Sequence, residues 1–240
     1  MTESINADVD FSVVIPVFRC AECLVALHER LTAVLENVGQ KYEIVFVNDC
    51  SPDEAERILR QISARDPRVI VHTLASNQGQ HFAIATGLKI SRGKYAVVMD
   101  ADLEDPPEAV PEFISKATEG FDIVLGARSQ RACPLIRRLF TQLFRRIIAP
   151  YRTFENRHSY GALSVLSRRA IEQFLRQGDP GRGYLVVLDR LALRHTVIFY
   201  RSEKRYAGKS AYTPARLLRT ALAVGLSARR SATGDTIRRS

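Results

Sequence analysis

The chain has 240 residues, of which 46% are apolar and 25% charged, and its 35 lysine and arginine residues against 26 acidic ones give a formal net charge of +9. This composition is typical of a folded globular protein and excludes disordered, collagen-like and disulfide-dense classes. The basic excess is concentrated after Arg128. A basic second half of the chain suggests an anionic partner, which could be nucleic acid, a membrane surface or a substrate that carries phosphate.

The N-terminal ten residues are acidic and polar, and the longest apolar runs, such as 13–18, fall far short of the ~20 residues that a membrane-spanning helix needs. The sequence therefore predicts neither a signal peptide nor a transmembrane helix. The four cysteines, at positions 20, 23, 50 and 133, do not have the spacing of a secreted disulfide framework. We expect a cytoplasmic protein with a flexible N-terminus over residues 1–10.

Strand and helix patterns alternate along the first half of the chain. Buried strands are predicted over 11–17, 42–47, 68–74, 95–99 and 122–125, and helices over 23–38, from the cap at 51–53 to 64, over 80–91 and over 106–119. This alternation indicates βαβ crossovers and an α/β fold, a mostly parallel open sheet with helices on both faces. Sheets of this kind bind ligands at the carboxyl ends of their strands.

The second half is more basic. Segment 134–151 has apolar residues at helical spacing with arginines between them, which predicts an amphipathic helix with a basic face. Further strands are predicted over 161–166 and 197–201 and helices over 168–176 and 214–228, while 185–193 is apolar throughout and fits either type. We expect one main domain over 11–212, followed by a C-terminal helix and a basic tail over 213–240.

The strongest chemical signal is the acidic segment 100–105, which follows a buried strand and precedes Pro106 and Pro107. In extended backbone, side chains two residues apart point to the same side, so Asp100 and Asp102, with Glu104 nearby, are predicted to converge on one cation. A few carboxylates together with substrate phosphate oxygens suit Mg²⁺ or Mn²⁺. The alternative is that these acids only cap the next helix, but their mutual repulsion favours the cation.

Three weaker signals lie at other strand ends. Asp49 could accept hydrogen bonds from a base or a ribose, whereas Ser51 and Asp53 are typical helix caps. The turn 77–79 contains a glycine that permits close backbone approach, but it does not form a dinucleotide-binding motif. The basic loop 205–212 fits either a flap that closes over a diphosphate or a solvated loop.

Taken together, these motifs resemble those of a known enzyme family. The motifs are IPVF at 15–18, VNDCSPD at 47–53, NQG at 77–79, DADLEDPPE at 100–108, GAR at 126–128 and the loop 205–212. In order and spacing they resemble inverting family 2 glycosyltransferases of the GT-A fold, in particular the branch that acts on dolichyl or polyprenyl phosphates. The chain differs from the usual pattern at Arg19, Cys20, Cys50 and Glu104, where the family commonly has Asn, Glu, Gly and Gln.

The resemblance implies a GT-A, Rossmann-like fold and a metal-dependent transferase that moves a sugar from a nucleotide diphosphate sugar to a polyprenyl phosphate with inversion. It implies contacts to the nucleotide sugar from Pro16, Val17, Asp49, Asn77, Asp100, Arg128, Arg131 and Lys209. Asp102 and Glu104 would hold Mg²⁺ or Mn²⁺, and Asp100, Asp102 and Arg205 would act in catalysis. Segment 134–151 would correspond to interfacial helices that rest on the cytoplasmic face of a bilayer.

The acceptor decides whether a base is needed. A lipid phosphate oxygen is already anionic, whereas a hydroxyl would have to lose its proton to a carboxylate, for which Asp189 and Glu104 are candidates. One alternative is therefore a soluble glycosyltransferase that acts on a hydroxyl of a small molecule or nucleoside. A sugar-phosphate nucleotidyltransferase would normally carry a basic glycine-rich loop near the first strand, where 18–23 offers only Arg19. The hypothesis of a nucleic-acid-binding domain depends only on the net positive charge, and the acidic residues at the strand ends argue against it.

Overall fold

Seven strands form one sheet in the computed structural model, which describes residues 9–129, 159–177, 183–204 and 206. All of these residues belong to a unit that spans residues 1–207. The strands are β1 (Phe11–Val17), β2 (Tyr42–Asn48), β3 (Val69–Thr73), β4 (Tyr95–Val98), β5 (Ile123–Arg128), β6 (Ser159–Ser167) and β7 (His195–Tyr200). The helices are α1 (Leu24–Val38), α2 (Ala55–Arg65), α3 (Gln80–Ile90), α4 (Val110–Thr118), α5 (Arg168–Arg176) and α6 (Tyr184–Arg190).

The strand order is β3-β2-β1-β4-β6-β5-β7. β6 runs antiparallel to its neighbours β4 and β5, and every other pair in this sheet is parallel. The predicted mostly parallel α/β sheet is therefore confirmed. The apolar pattern of β6 predicts a strand but does not give its direction, so the one reversed strand was not predicted.

Helices cover both faces of the sheet, as predicted. α1, α2 and α4 pack on one face, with Leu27 among the fully buried side chains, and α3, α5 and α6 pack on the other, with Ile84 buried. Gly87 lets α3 approach β1 closely, because a Cβ at this position would lie 2.3 Å from Cγ1 of Val14. The strands between these two layers are buried on both sides, which explains their continuous apolar runs.

Most predicted boundaries agree with the structure to within a few residues, and two segments differ. Segment 185–193, which fitted either type, is mainly the helix α6. β4 ends at Val98, and the acidic segment that follows forms a turn in which Leu103 is buried with φ of 59°. The extended geometry predicted for Asp100 and Asp102 is therefore wrong, because the backbone folds back to place Leu103 in the core.

Several predictions fall on residues that the structure does not describe: the helices over 134–151 and 214–228, the tail after 229 and most of the N-terminal segment 1–10. Within the described ranges, no helix is both long enough and apolar enough to cross a membrane.

Candidate active site

Most of the predicted site residues that the structure describes lie along the carboxyl edge of the sheet. β1, β2 and β4 are parallel, and β5 shares their direction because it and β4 both run antiparallel to β6. Pro16 and Val17 end β1, Asp49 and Asp100 follow β2 and β4, and Arg128 ends β5. The fold thus brings these five residues to one edge, as the strand-end argument predicts. Arg131, Arg205 and Lys209 lie outside the described residues.

The loops after β1 and β2 are tied to each other. The Ser51 hydroxyl accepts a hydrogen bond from the backbone N–H of Arg19 at 2.7 Å and donates one to Oδ1 of Asp53 at 2.6 Å. Oδ2 of Asp53 accepts from the backbone N–H of Ala21 at 3.0 Å. Burial raises the pKa of Asp53, but these hydrogen bonds outweigh it and lower the pKa overall. Ser51 and Asp53 therefore connect the two loops. Asp53 also accepts from the N–H of Ala55 at 3.2 Å, but the N-cap residue of α2 is Glu54, so the prediction of Ser51 or Asp53 at the cap position is wrong by one residue.

Asp49 orders the turn that leads into α3. Its side chain is buried, with Oδ1 accepting from the backbone N–H of Gln78 at 2.7 Å and Oδ2 accepting from the N–H of Gly79 at 2.8 Å and from Nδ2 of Asn77 at 2.9 Å. Gly79 has φ of 93°, a conformation that favours glycine. Three of roughly four acceptor positions on the carboxylate are thus used within the protein.

Three carboxylates of the acidic turn (residues 100–105) share the guanidinium of Arg128. Its Nη2 lies 2.8 Å from Oδ1 of Asp105 and 3.8 Å from Oδ2 of Asp100, and its Nη1 lies 3.0 Å from Oε2 of Glu104. Asp102 belongs to the same turn, where its Oδ1 accepts from the backbone N–H of Glu104 at 3.0 Å. The turn therefore carries more negative charge than Arg128 can neutralise.

Asp105 and Tyr200 form the buried base of this cluster, which the sequence analysis missed. The Tyr200 hydroxyl donates to Oδ1 of Asp105 at 2.6 Å, and Nε of Arg128 donates to the same oxygen at 2.9 Å. Oδ2 of Asp105 is buried without a hydrogen-bond partner. Burial raises the pKa of Asp105, with Arg128 and Tyr200 opposing that shift. The position of Tyr200 at the end of a predicted strand was a signal that could have identified it.

The local environment disfavours the charged form of Asp100. Burial, followed by the negative charges of Asp105 and Asp102, raises the pKa of Asp100 to about 7, although Arg128 opposes the shift. Oδ1 of Asp100 also accepts a hydrogen bond from Nε2 of Gln80 at 2.5 Å, a contact that no sequence signal indicated. A bound cation would remove this electrostatic penalty.

The acidic turn fits a divalent cation of the kind that completes its coordination with substrate. In the part of the chain that the structure describes, no group of three or more His, Cys, Asp or Glu side chains is arranged as a metal centre. Mg²⁺, however, needs only one or two protein carboxylates when phosphate oxygens and water supply the rest. Asp102 and Glu104 offer hard oxygen ligands of this kind, and Glu104 is in addition engaged with Arg128 at 3.0 Å.

Solved structures with a similar fold include glycosyltransferases. Mannosyl-3-phosphoglycerate synthase from Rubrobacter xylanophilus matches with a TM-score of 0.62 and 15% identity over 97% of this chain and 76% of that one. A mannosyltransferase from Pyrobaculum calidifontis, solved in complex with GDP-Man and Mn²⁺, matches with a TM-score of 0.56 and 17% identity over 85% of this chain and 62% of that one. The fold is therefore the GT-A fold, as predicted.

Sequence comparison then identifies the family. The model of Glycosyl transferase family 2 matches residues 12–175, which is more than half of the chain, so the chain belongs to this family. An uncharacterized glycosyltransferase of Bacillus subtilis is 27% identical over 215 residues, 89% of this chain and 67% of the relative. The undecaprenyl-phosphate 4-deoxy-4-formamido-L-arabinose transferase of Pseudomonas aeruginosa is 32% identical over 209 residues, 86% of this chain and 61% of that protein.

The chain thus spans 61–67% of the length of these two relatives. The prediction of a family 2 glycosyltransferase is confirmed. Membership of this family decides against the nucleotidyltransferase and nucleic-acid-binding alternatives.

Proposed function

We propose that this chain is an inverting, metal-dependent glycosyltransferase that moves a sugar from a nucleotide diphosphate sugar to the phosphate of a polyprenyl phosphate. The observation that carries the proposal is the acidic turn at the carboxyl edge, where Asp100, Glu104 and Asp105 share Arg128 and Asp102 lies beside them. This fold binds ligands at this edge, and four carboxylates lie together there around Arg128.

Asp102 and Glu104 are the residues that we assign to the cation, Mg²⁺ or Mn²⁺. The bound ion would supply positive charge that stabilises the departing diphosphate. Glu104 already contacts Arg128 at 3.0 Å, so binding of the ion would require Glu104 to share or leave that contact. Nη1 of Arg128 would then be available to a phosphate oxygen, while Nε and Nη2 stay on Asp105.

The donor would lie along the ends of β1 and β2. Pro16, Val17, Asp49 and Asn77 are assigned to the nucleotide. Asp49 in addition holds the turn that carries Asn77. Asp100 is assigned to the ribose or the sugar. Arg131, Arg205 and Lys209 remain assigned to phosphate contacts and catalysis from the resemblance alone.

In the reaction, the bond between the anomeric carbon and the diphosphate oxygen breaks and its electron pair leaves with the diphosphate. An anionic oxygen of the acceptor phosphate forms the new bond from the opposite face of the sugar, which inverts the anomeric configuration. No proton has to be removed from such an acceptor.

Two observations support a lipid acceptor. The relative from Pseudomonas aeruginosa is named as a transferase to undecaprenyl phosphate. The net charge of +9 suits an anionic membrane surface, and we assign the bilayer contact, on the cytoplasmic face, to segment 134–151.

The proposal can be tested with UDP-, GDP- and dTDP-sugars, Mg²⁺ or Mn²⁺, and undecaprenyl phosphate in detergent micelles. We expect one nucleotide diphosphate to be released together with a glycolipid of inverted anomeric configuration, identified by NMR. Asp102→Asn should lower kcat/KM about 1,000-fold, because several kcal/mol of charge stabilisation are lost. The matched variant Glu54→Gln, on an exposed acid at the start of α2, should retain full activity.

Full activity of Asp102→Asn would reject the assigned cation site. Sugar transfer to hydroxyl acceptors but not to undecaprenyl phosphate would replace the proposed acceptor with a small molecule. If no nucleotide sugar is consumed with any acceptor, the proposed donor class is rejected.

A further inference from the structure

Arg30 of α1 joins two parts of the chain that are remote in sequence. Its Nε and Nη2 donate to Oε1 and Oε2 of Glu108 at 2.9 and 2.6 Å. Its Nη1 and Nη2 also donate to Oε2 and Oε1 of Glu203 at 3.2 and 3.4 Å. One guanidinium thus engages both oxygens of two glutamates, one before α4 and one after β7.

The residues that follow β7 lie on the acidic turn. We call residues 201–204 and 206 the post-β7 segment. The backbone N–H of Glu203 donates to the carbonyl of Glu104 at 2.9 Å, and the N–H of Tyr206 donates to the carbonyl of Asp102 at 3.2 Å. The two main-chain acceptors therefore belong to the two residues that the proposed function assigns to the cation.

Glu203 connects these two sets of contacts. Its carboxylate is held by Arg30 while its N–H holds Glu104, so the position of Arg30 is transmitted to the acidic turn through a single residue. The turn needs such support, because Leu103 between Asp102 and Glu104 has φ of 59°, which costs energy for a residue with a side chain.

The Arg30 contacts are partly exposed, with 31% of the Arg30 side chain, 53% of Glu108 and 48% of Glu203 accessible to solvent. Isolated exposed ion pairs contribute little to overall stability. A bidentate guanidinium that ties together α1, the start of α4 and a loop has a different effect, because it restricts the geometry of the loop. We therefore expect its loss to change local opening more than global unfolding.

We propose that Arg30 is a positioning residue that holds the post-β7 segment on the acidic turn and thereby sets the position of Asp102 and Glu104. The effect of Arg30 on sugar transfer rests on the proposed function. The docking, by which we mean the contact of the post-β7 segment with the acidic turn, does not depend on it. Arg30 would therefore affect sugar transfer without contacting the substrate.

The docking is tested by amide hydrogen exchange, resolved by NMR, in the ligand-free full chain. Arg30→Gln should speed exchange at the amides of Glu203 and Tyr206 about fivefold, with no change at β1 amides such as Val14. Arg57→Gln is the matched control, since Arg57 contacts Glu54 and Gln61 of its own helical segment at 2.7 and 3.2 Å. It should leave exchange at these amides unchanged.

Rescue by charge exchange separates positioning from a general packing defect. The double variant Arg30→Glu with Glu203→Arg exchanges the charges of this pair and, made in a Glu108→Gln background so that position 30 does not face a second acid, should restore most of the protection that Arg30→Gln loses. In the transfer assay, Arg30→Gln should lower kcat about fivefold with an unchanged unfolding temperature, and the double variant should recover it.

Unchanged exchange at Glu203 and Tyr206 in Arg30→Gln would overturn the docking. Faster exchange with unchanged kcat would overturn the positioning role while leaving the proposed function intact. If the wild-type chain transfers no sugar, the proposed function fails, and the exchange experiment still decides whether Arg30 holds the segment.

Discussion

At the amino edge of the sheet, two buried carboxylates each have an arginine of their own. Glu43 accepts from the Ser12 hydroxyl and from both the backbone N–H and Nε of Arg92, all at 2.7 Å. Asp66 accepts from the backbone N–H of Arg68 at 3.0 Å and from its Nε at 2.9 Å. Burial raises the pKa of Asp66, but these contacts outweigh it and lower the pKa to about 2.

The acidic side chains of the turn at the carboxyl edge have fewer positively charged partners than those at the amino edge. There, Asp100, Glu104 and Asp105 share Arg128, one oxygen of Asp105 has no partner, and the pKa of Asp100 is raised to about 7 by burial and the neighbouring acids. The charged form of Asp66 at the amino edge therefore stabilises the fold, whereas the charged form of Asp100 at the carboxyl edge reduces its stability. Such a cost is typical of a ligand site, where binding of a cation and of phosphates would offset it.

The largest effect should come from removing the shared arginine. Arg128→Met leaves the fully buried Asp105 without its cation and should lower the free energy of unfolding by about 3 kcal/mol, measured by urea denaturation. Adding Asp105→Asn should recover more than half of that loss. Arg169→Met, which removes an exposed arginine 3.9 Å from Asp122, is the control. A loss no larger than that of the control would show that Arg128 is not needed to neutralise the edge.

A smaller effect with a defined pH dependence is expected at the amino edge. Because the folded pKa of Asp66 is about 2 against 3.8 for an ordinary aspartate, its stabilisation is complete above about pH 5 and is lost as pH falls through 2. Asp66→Asn should therefore cost about 2 kcal/mol at pH 7 and about half of that at pH 3.

Thermal unfolding at the two pH values checks this. Glu172→Gln, which alters an exposed pair with Arg176 at 3.9 Å, should show no such dependence. A deficit of Asp66→Asn that is equal at pH 7 and pH 3 would contradict the assignment of its stability to the charged contacts.

Sequence patterns predicted the elements of the sheet because its strands are buried on both faces and read as apolar runs, as in β1 and β2. They also predicted that Asp49, Asp100 and Arg128 share one edge, since parallel strands end together. The direction of the strands alone determines which residues lie at this edge, so this part of the site could be predicted from the sequence.

The contacts among the side chains at that edge could not be predicted from the sequence. The conformation of the acidic turn depends on burial of Leu103, and the partnership of Asp105 with Tyr200 depends on β7 lying beside β5. Neither is a local property of the sequence. The link from Arg30 to Glu203 spans 173 positions and has no periodicity to indicate it.

The smallest predicted effect is the most direct test of the contrast between the edges. The pKa of Asp100 is raised, so the wild-type protein loses stability as pH rises from about 4 to 7, and the loss is complete above 7. In metal-free buffer at pH 8, Asp100→Asn should raise the free energy of unfolding by about 1 kcal/mol, less than the pKa shift alone would give because 25% of the Asp100 side chain is exposed to solvent and the variant also loses the charge facing Arg128, with no difference at pH 4.

The measurement is thermal unfolding of Asp100→Asn and wild type at pH 8, with EDTA and then with Mn²⁺ and a panel of nucleotide diphosphates. We predict that the variant is more stable without ligand and loses most of the stabilisation that the wild type gains with ligand. A variant that is less stable than wild type without ligand, yet gains as much as wild type from Mn²⁺ and nucleotide, would contradict the account.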